Sequence, residues 1–275
     1  MSARTNSLRR LSTFKAQESY YELIVERCLR LRHSSVPANT PLEISFGAMK
    51  LHEEAHSVDP RFTFRREAEQ KALRAISLND SGQSKEVSVI MQAIRKLREA
   101  IVATNRTDAF ARDAYIFMLH AAILIRHPES YHPALLHLMR RIHPLSPLDD
   151  EQYGQVLSYY ILDLACRQER LDLALELSFW RDKINPSVSL LVRALAHENW
   201  VRFGQLKKGL DVFSSQLADS ASHKLHLHAM RCIQKTYLKV DKAFVERSMM
   251  TSWAQLEPTY NIKWAISEGD ILKTR

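Results

Sequence analysis

Apolar residues return at helical spacing along almost the whole chain. Over residues 13–32 they fall at Phe14, Tyr20, Tyr21, Ile24, Val25, Cys28, Leu29 and Leu31, on one face of a 3.6-residue period. Pro37 and Pro41 break that run, and Asn39-Thr40 before Pro41 reads as a helix start with proline in its first turn. A second helix is predicted to run to His56 and a third over 61–76, followed by the linker-like Asn79-Asp80-Ser81-Gly82-Gln83-Ser84. Val87, Ile90, Met91, Ile94, Leu97 and Ile101 then form one stripe. Residues 108–125 are apolar on most faces, which predicts an inner helix touched on several sides. Further helices are predicted over 132–142, from Asp149-Asp150 to 164, and over 171–180, 187–196 and 206–217.

Starts near Asp108, Asp149 and Ser187 recur after roughly forty residues, the spacing of stacked helix pairs of the tetratricopeptide kind, although the consensus residues of such repeats are absent. The pattern changes after residue 220. A helical run through Leu225, His226, His228 and Ile233 to Leu238 precedes two short helical stretches, 241–249 and 252–257. After Pro258 come Ile262-Lys263-Trp264-Ala265-Ile266, the turn Glu268-Gly269-Asp270, and Ile271-Leu272-Lys273, which read as a two-stranded hairpin. Three helices followed by a hairpin is the order of a winged helix. The expected fold class is therefore all-α, a helical-repeat (TPR-like) array followed by a C-terminal winged helix with a small β-hairpin. The expected organisation is a basic flexible tail (1–12), an N-terminal helical segment (13–84), the array (85–220) and the winged helix (221–275).

Composition narrows the function classes. Six glycines stand where ~7% usage would give roughly nineteen, which disfavours the phosphate-cradling loops and tight turns of Rossmann, P-loop and β-sandwich folds. Cys28, Cys166 and Cys232 are scattered without CxxC spacing, as expected of buried thiols in a reducing compartment. No apolar run approaches the ~18 residues of a membrane span, and the N-terminus lacks the apolar core of a secretory signal. A cytoplasmic or nuclear protein without membrane contact is expected. The net charge of +8 permits a polyanionic partner without requiring one.

Candidate chemistry is sparse. His52-Glu53-Glu54-Ala55-His56 matches HExxH, which would place two imidazoles on one helical face around Zn²⁺ with Glu53 activating water. The charged Glu54 and the lack of a marked third ligand, Glu67 and Glu69 being undistinguished, favour a solvated face; a zinc hydrolase is kept as a remote alternative. His223 and His226 share a face and His228 points away, which favours a polar helix face over a metal site. No G-x-S-x-G, Walker or GxGxxG context exists, so no catalytic residue, metal or cofactor is expected. Residues 221–275 carry nine Lys or Arg against five Asp or Glu, which makes Arg247, Lys263 and Lys273 candidates for salt-sensitive RNA contact. The presumed recognition helix offers only Gln255 for groove reading. Trp200, Phe203, Phe213, Trp253 and Trp264 are candidate interaction anchors, with core packing as their competing role. Phe244, Trp253, Leu256, Trp264 and Ile266 are expected to fill the space between hairpin and helices, and the hairpin edge, along Ile262 to Ile266 or Ile271 to Thr274, is a site for strand addition.

The order of a helical array and a winged helix resembles the PCI family. The matching residues are His228-Ala229-Met230-Arg231-Cys232-Ile233, Asp241-Lys242-Ala243-Phe244-Val245, Trp253 through Leu256, Tyr260-Asn261-Ile262-Lys263-Trp264, the acidic-glycine turn and Ile271-Leu272. Within that family the tail is similar to the short subunits of the COP9 signalosome, the proteasome lid and the third translation initiation factor. The resemblance covers residues 109–275 and implies a non-catalytic scaffold or adaptor subunit whose partners are other subunits of a complex. It implies as runner-up an RNA-associated PCI protein acting in mRNA export or translation.

Overall fold

The structure, a computed structural model, describes residues 11–30, 60–77, 85–179, 184–262, 264–267 and 271–273. It is mostly helical and divides into two compact units, Met1–Asp149 and Asp150–Arg275. Among the described residues no helix is long and apolar enough to cross a membrane.

The first unit contains α1 (Phe14–Arg30), α2 (Pro60–Ser77), α3 (Lys85–Ala103), α4 (Ala109–Leu124) and α5 (Pro128–His137). Helix α4 is the expected inner helix. Phe110, Ala114, Tyr115, Phe117, Met118, Leu119 and Ala121 are all buried, and the helix packs on α2, α3 and α5. Asp108 starts it by accepting the Ala111 N–H at 2.9 Å. Helix α5 begins at Pro128 rather than at the expected His132. Pro128 occupies the first turn, where a missing N–H costs nothing, and Pro133 lies inside the helix. The helix ends in a wide turn, Leu138–Ile142, closed by His143 N–H donating to the Leu138 carbonyl five residues back.

One buried cation holds this unit together. The Arg106 side chain is 2% exposed. Its guanidinium pairs with Asp108 at 2.9 and 3.0 Å, donates to the Phe14 carbonyl at 3.0 Å, and pairs with Glu18. Its planar faces lie over the rings of Phe14 and Phe110, 4.3 and 4.1 Å from their centroids. Beside it, the fully buried Gln17 amide donates to the Leu11 and Ala100 carbonyls and to Thr104 Oγ1. Leu11, expected in a flexible tail, is buried here.

The second unit contains α6 (Asp150–Leu162), continued by a wide turn at Asp163–Arg167, then α7 (Leu171–Phe179), α8 (Pro186–Ala196), α9 (Trp200–Lys208) and α10 (Val212–Thr236). The helix expected over 206–217 does not exist as one element. Gly209 caps the end of α9, and the Asp211 carboxylate accepts from the Phe213 and Ser214 N–H groups, both at 3.1 Å, to begin α10. Because α10 is continuous to Thr236, the expected boundary at 220/221 falls inside a helix. Beyond it lie β1 (Lys239–Asp241), α11 (Lys242–Met249), α12 (Trp253–Tyr260), β2 (Ala265–Ser267) and β3 (Ile271–Lys273).

Among the described residues, six helix ends or turns place Asn105, Arg126, Glu169, Glu198, Met250 or Asn261 in left-handed backbone, φ 48–58°. This is how a glycine-poor chain turns its corners, at a cost of roughly 1–2 kcal/mol per position.

Two outcomes test the first unit. Arg106→Ala is expected to cost about 2 kcal/mol, because it removes the donor to the Phe14 carbonyl and to Gln17 Oε1 together with the group packed over two phenyl rings, with Arg106→Lys recovering only part; urea unfolding followed by circular dichroism reads it. Desolvation pushes the His120 imidazole down to about 4. The unfolded imidazole titrates near 6.5, so between those values the unfolded state binds the extra proton and stability is lost as the pH is lowered. His120→Gln is expected to remove about 1–2 kcal/mol of the stability difference between pH 7 and pH 5.

Candidate functional site

Residues 237–273 build a small module on the last turns of α10. Tyr237 leaves helical backbone (φ −114°, ψ 138°), and Lys239–Asp241 continues extended. Val240 points inward between exposed Lys239 and Asp241, and Asp241 then caps α11 through the Ala243 N–H at 3.1 Å. Strand β3 lies between β1 and β2, antiparallel to both, with Val240 and Ile266 each opposite Leu272. The expected hairpin is therefore the β2–β3 part of a three-stranded sheet. Of the two expected edges, the one along 271–274 is corrected, because 271–273 is the central strand, and the one along 262–266 keeps its open side at β2. Both sides of β3 are taken within the chain, and the open edges belong to β1 and β2.

The interior of the module consists of Ala229, Met230 and Ile233 from α10, Val240, Val245, Met249, Trp253, Leu256 and Trp264. The Trp253 and Trp264 rings stack with centroids 5.8 Å apart and planes 25° apart. The Glu246 carboxylate accepts the Trp253 N–H at 2.7 Å and fixes the start of α12. Trp253, Leu256 and Trp264 thus fill the space as expected, whereas Phe244 and Ile266 do not; Val240, Val245 and Met249 take their places.

The expected anchors fall mostly inside. Phe203, Phe213, Trp253 and Trp264 are buried, so their apolar area holds the fold and is not presented to a partner. Trp200 is half-buried against the module, with Nε1 donating to Ser248 Oγ at 3.0 Å. Exposed apolar area comes instead from Tyr237 (44%), Leu238 (67%), Phe244 (41%) and Ile266 (54%). Tyr237 and Phe244, which flank β1 along the chain, meet edge to face at 6.3 Å. Tyr237 and Leu238 escaped sequence reasoning, and Phe244 and Ile266 were expected inside, because a three-residue strand is too short to show alternation. The available signal was Asp241, a helix cap that forces the preceding Leu238-Lys239-Val240 out of any helix.

Of the basic candidates, Arg247 is exposed on α11 and Lys273 lies opposite Lys239 across β1–β3, while Lys263 lies outside the described residues. The exposed positions of α12 are Ala254, Gln255, Glu257, Pro258 and Thr259, without a cation. The histidines of α10 link helices. His223 stacks on Tyr260 at 5.0 Å, and His226 Nδ1 lies 2.9 Å from the Tyr260 hydroxyl. Burial, followed by the charges of Lys207 and His223, holds His226 below the usual imidazole range. The HExxH pair His52 and His56 lies outside the described residues, and Glu69 accepts from Tyr21 at 2.5 Å and Arg65 at 3.3 Å. Among the described residues no group of three or more His, Cys, Asp or Glu is arranged to hold a metal ion. No protein-family model matches the chain, and no curated protein matches it.

The Trp253 indole N–H is buried without a hydrogen-bond partner. Trp253→Ala is expected to cost about 3–5 kcal/mol, from lost burial and the cavity left behind. Trp253→Phe is expected to cost far less, since it removes the unpaired donor together with part of the ring. Thermal unfolding followed by tryptophan fluorescence separates the two.

Proposed function

We propose that the chain is a non-catalytic scaffold or adaptor subunit of a multi-protein assembly, acting in the cytoplasm or nucleus. In this reading its helices form a repeat array and its C-terminal module is a winged helix of the PCI kind. The order helix, strand, helix, helix, strand, strand supports it, as does the sheet order β1-β3-β2. The carrying observation is that the module hides Trp253 and Trp264 while leaving Tyr237, Leu238, Phe244 and two strand edges outside. A surface of this type suits a companion protein that adds a strand and covers the apolar side chains.

The runner-up is an RNA-associated role, motivated by the excess of Lys and Arg in residues 221–275. The cation-free exposed positions of α12 leave it only backbone contacts through residues such as Arg247.

Purification of tagged protein from its native cell is expected to return several companion proteins in fixed ratio. Leu238→Asp with Phe244→Asp should abolish at least one of those associations and leave the melting temperature unchanged, because both positions are exposed. Companions retained by that double variant would remove the sheet-edge surface from the proposal. Retention on RNA that collapses between ~50 and ~200 mM salt and depends on Arg247 would favour the runner-up.

A further inference from the structure

Two guanidiniums, an imidazole and a phenol gather in the first unit, from α3, α4, α5 and the wide turn after α5. Arg98 of α3 is half-buried and donates to the Ser130 carbonyl of α5 at 2.7 Å. His137 ends α5, and its ring stacks on that of Tyr115 in α4, centroids 5.0 Å apart and planes 26° apart. Arg141 stands four residues beyond His137, and the wide turn returns it to the same face. Burial, then the charges of Arg141 and Arg98, hold His137 below the usual imidazole range, so both guanidiniums lie within electrostatic reach of that ring. Tyr115 is 0% exposed, and its hydroxyl is buried without a hydrogen-bond partner although the charge of Arg98 acts on it. Among the described residues no carboxylate pairs with Arg98 or Arg141. Glu99, whose charge acts on Arg98, is bound by Arg95 at 3.0 Å. Residues 126–143 carry three Arg and four His against one acid, Glu129, which lies 3.9 Å from His127.

We propose that Arg98, His137, Arg141 and the Tyr115 hydroxyl form a binding site for a phosphate group. The donor set selects that chemistry. A carboxylate brings one charge and two oxygens, and would leave several of these N–H and O–H groups unused. A phosphate brings up to two charges and three acceptor oxygens, enough for the Arg141 fork, a further Arg98 N–H, the imidazole and the phenol. The long Arg98 side chain lies beside the Tyr115 hydroxyl, so its turn toward a bound phosphate opens that hydroxyl to one of the oxygens. An anion here also offsets the repulsion between two guanidiniums and the desolvation of Arg98, neither of which is offset by an ion pair among the described residues. The site lies wholly within the first unit and is independent of the docking surface proposed for the second.

The test is isothermal titration of the folded full-length chain at neutral pH and fixed ionic strength. One arm uses inorganic pyrophosphate, the other a phosphoserine peptide beside its unphosphorylated form. Binding of one equivalent is expected in at least one arm; pyrophosphate alone identifies free phosphate compounds as the source, and the phosphopeptide alone a modified protein. Arg141→Gln is expected to weaken binding about tenfold. Arg140→Gln removes the same charge from the neighbouring position and is expected to leave the affinity within about twofold. Both positions are exposed, so unchanged melting temperatures tie the difference to the site. Tyr115→Phe keeps the stacked ring, loses the unpaired hydroxyl and is expected to bind about threefold more weakly. Neither probe binding below ~5 mM would overturn the proposal. So would an Arg140→Gln loss equal to that of Arg141→Gln, the mark of diffuse charge, or an unchanged affinity in Tyr115→Phe.

Discussion

Removing one stripe of α10 from water is the constraint on which the second unit depends. Phe213, Leu217, Ala218, Ala221, Leu225, Ala229, Met230 and Ile233 are buried in sequence along a helix about 37 Å long. Its first turns are covered by α6, by the wide turn that follows α6 and by α9; its last turns are covered by β1, α11 and α12. Neither set of neighbours could bury its own apolar side without this helix. That is why no break separates the helical region from the strand-bearing module, although sequence composition changes near residue 220.

The two units use different means to fix their centres. In the first, a fully satisfied guanidinium stacked between two phenyl rings ties α1 to the turn between α3 and α4. Such a group specifies one arrangement, because any slippage leaves buried polar atoms without partners. In the second, stacked indoles supply area with little directional demand, and small elements close around them. Once Trp253 and Trp264 are committed to that interior, the module has spent its largest apolar groups. What remains outside is Tyr237, Leu238, Phe244 and Ile266, together with the open edges of β1 and β2, and the proposed docking surface rests on those four.

Much of the helical architecture was legible from periodicity. The stripe from Val87 to Ile101 and the all-round apolar residues 108–125 became an amphipathic and an inner helix because burial at a 3.6-residue period leaves few other solutions. The starts read near Asp108 and at Asp241 are helix caps, while the helix read from Ser187 is capped two residues earlier, at Asn185. The glycine-poor composition matched corners turned by Asn, Arg, Glu and Met, although nothing local announced which residue would take the left-handed conformation. The site was less legible. Aromatic identity alone could not separate anchors from core, since Trp253 and Phe244 look alike in a pattern and only packing put one inside and the other outside.

By itself, then, the chain determined its helices, several of their caps and the hairpin near its end, because these follow from local propensity and from spacing within one element. Tertiary structure alone decided that Lys239–Asp241 would join β3 and leave β1 and β2 as the open edges. It also decided that Glu198 and Cys232 would meet at one nitrogen of His228. Both outcomes bring together residues roughly thirty positions apart through the packing of α9, α10 and the sheet, and no sequence period encodes a separation set by how whole elements pack.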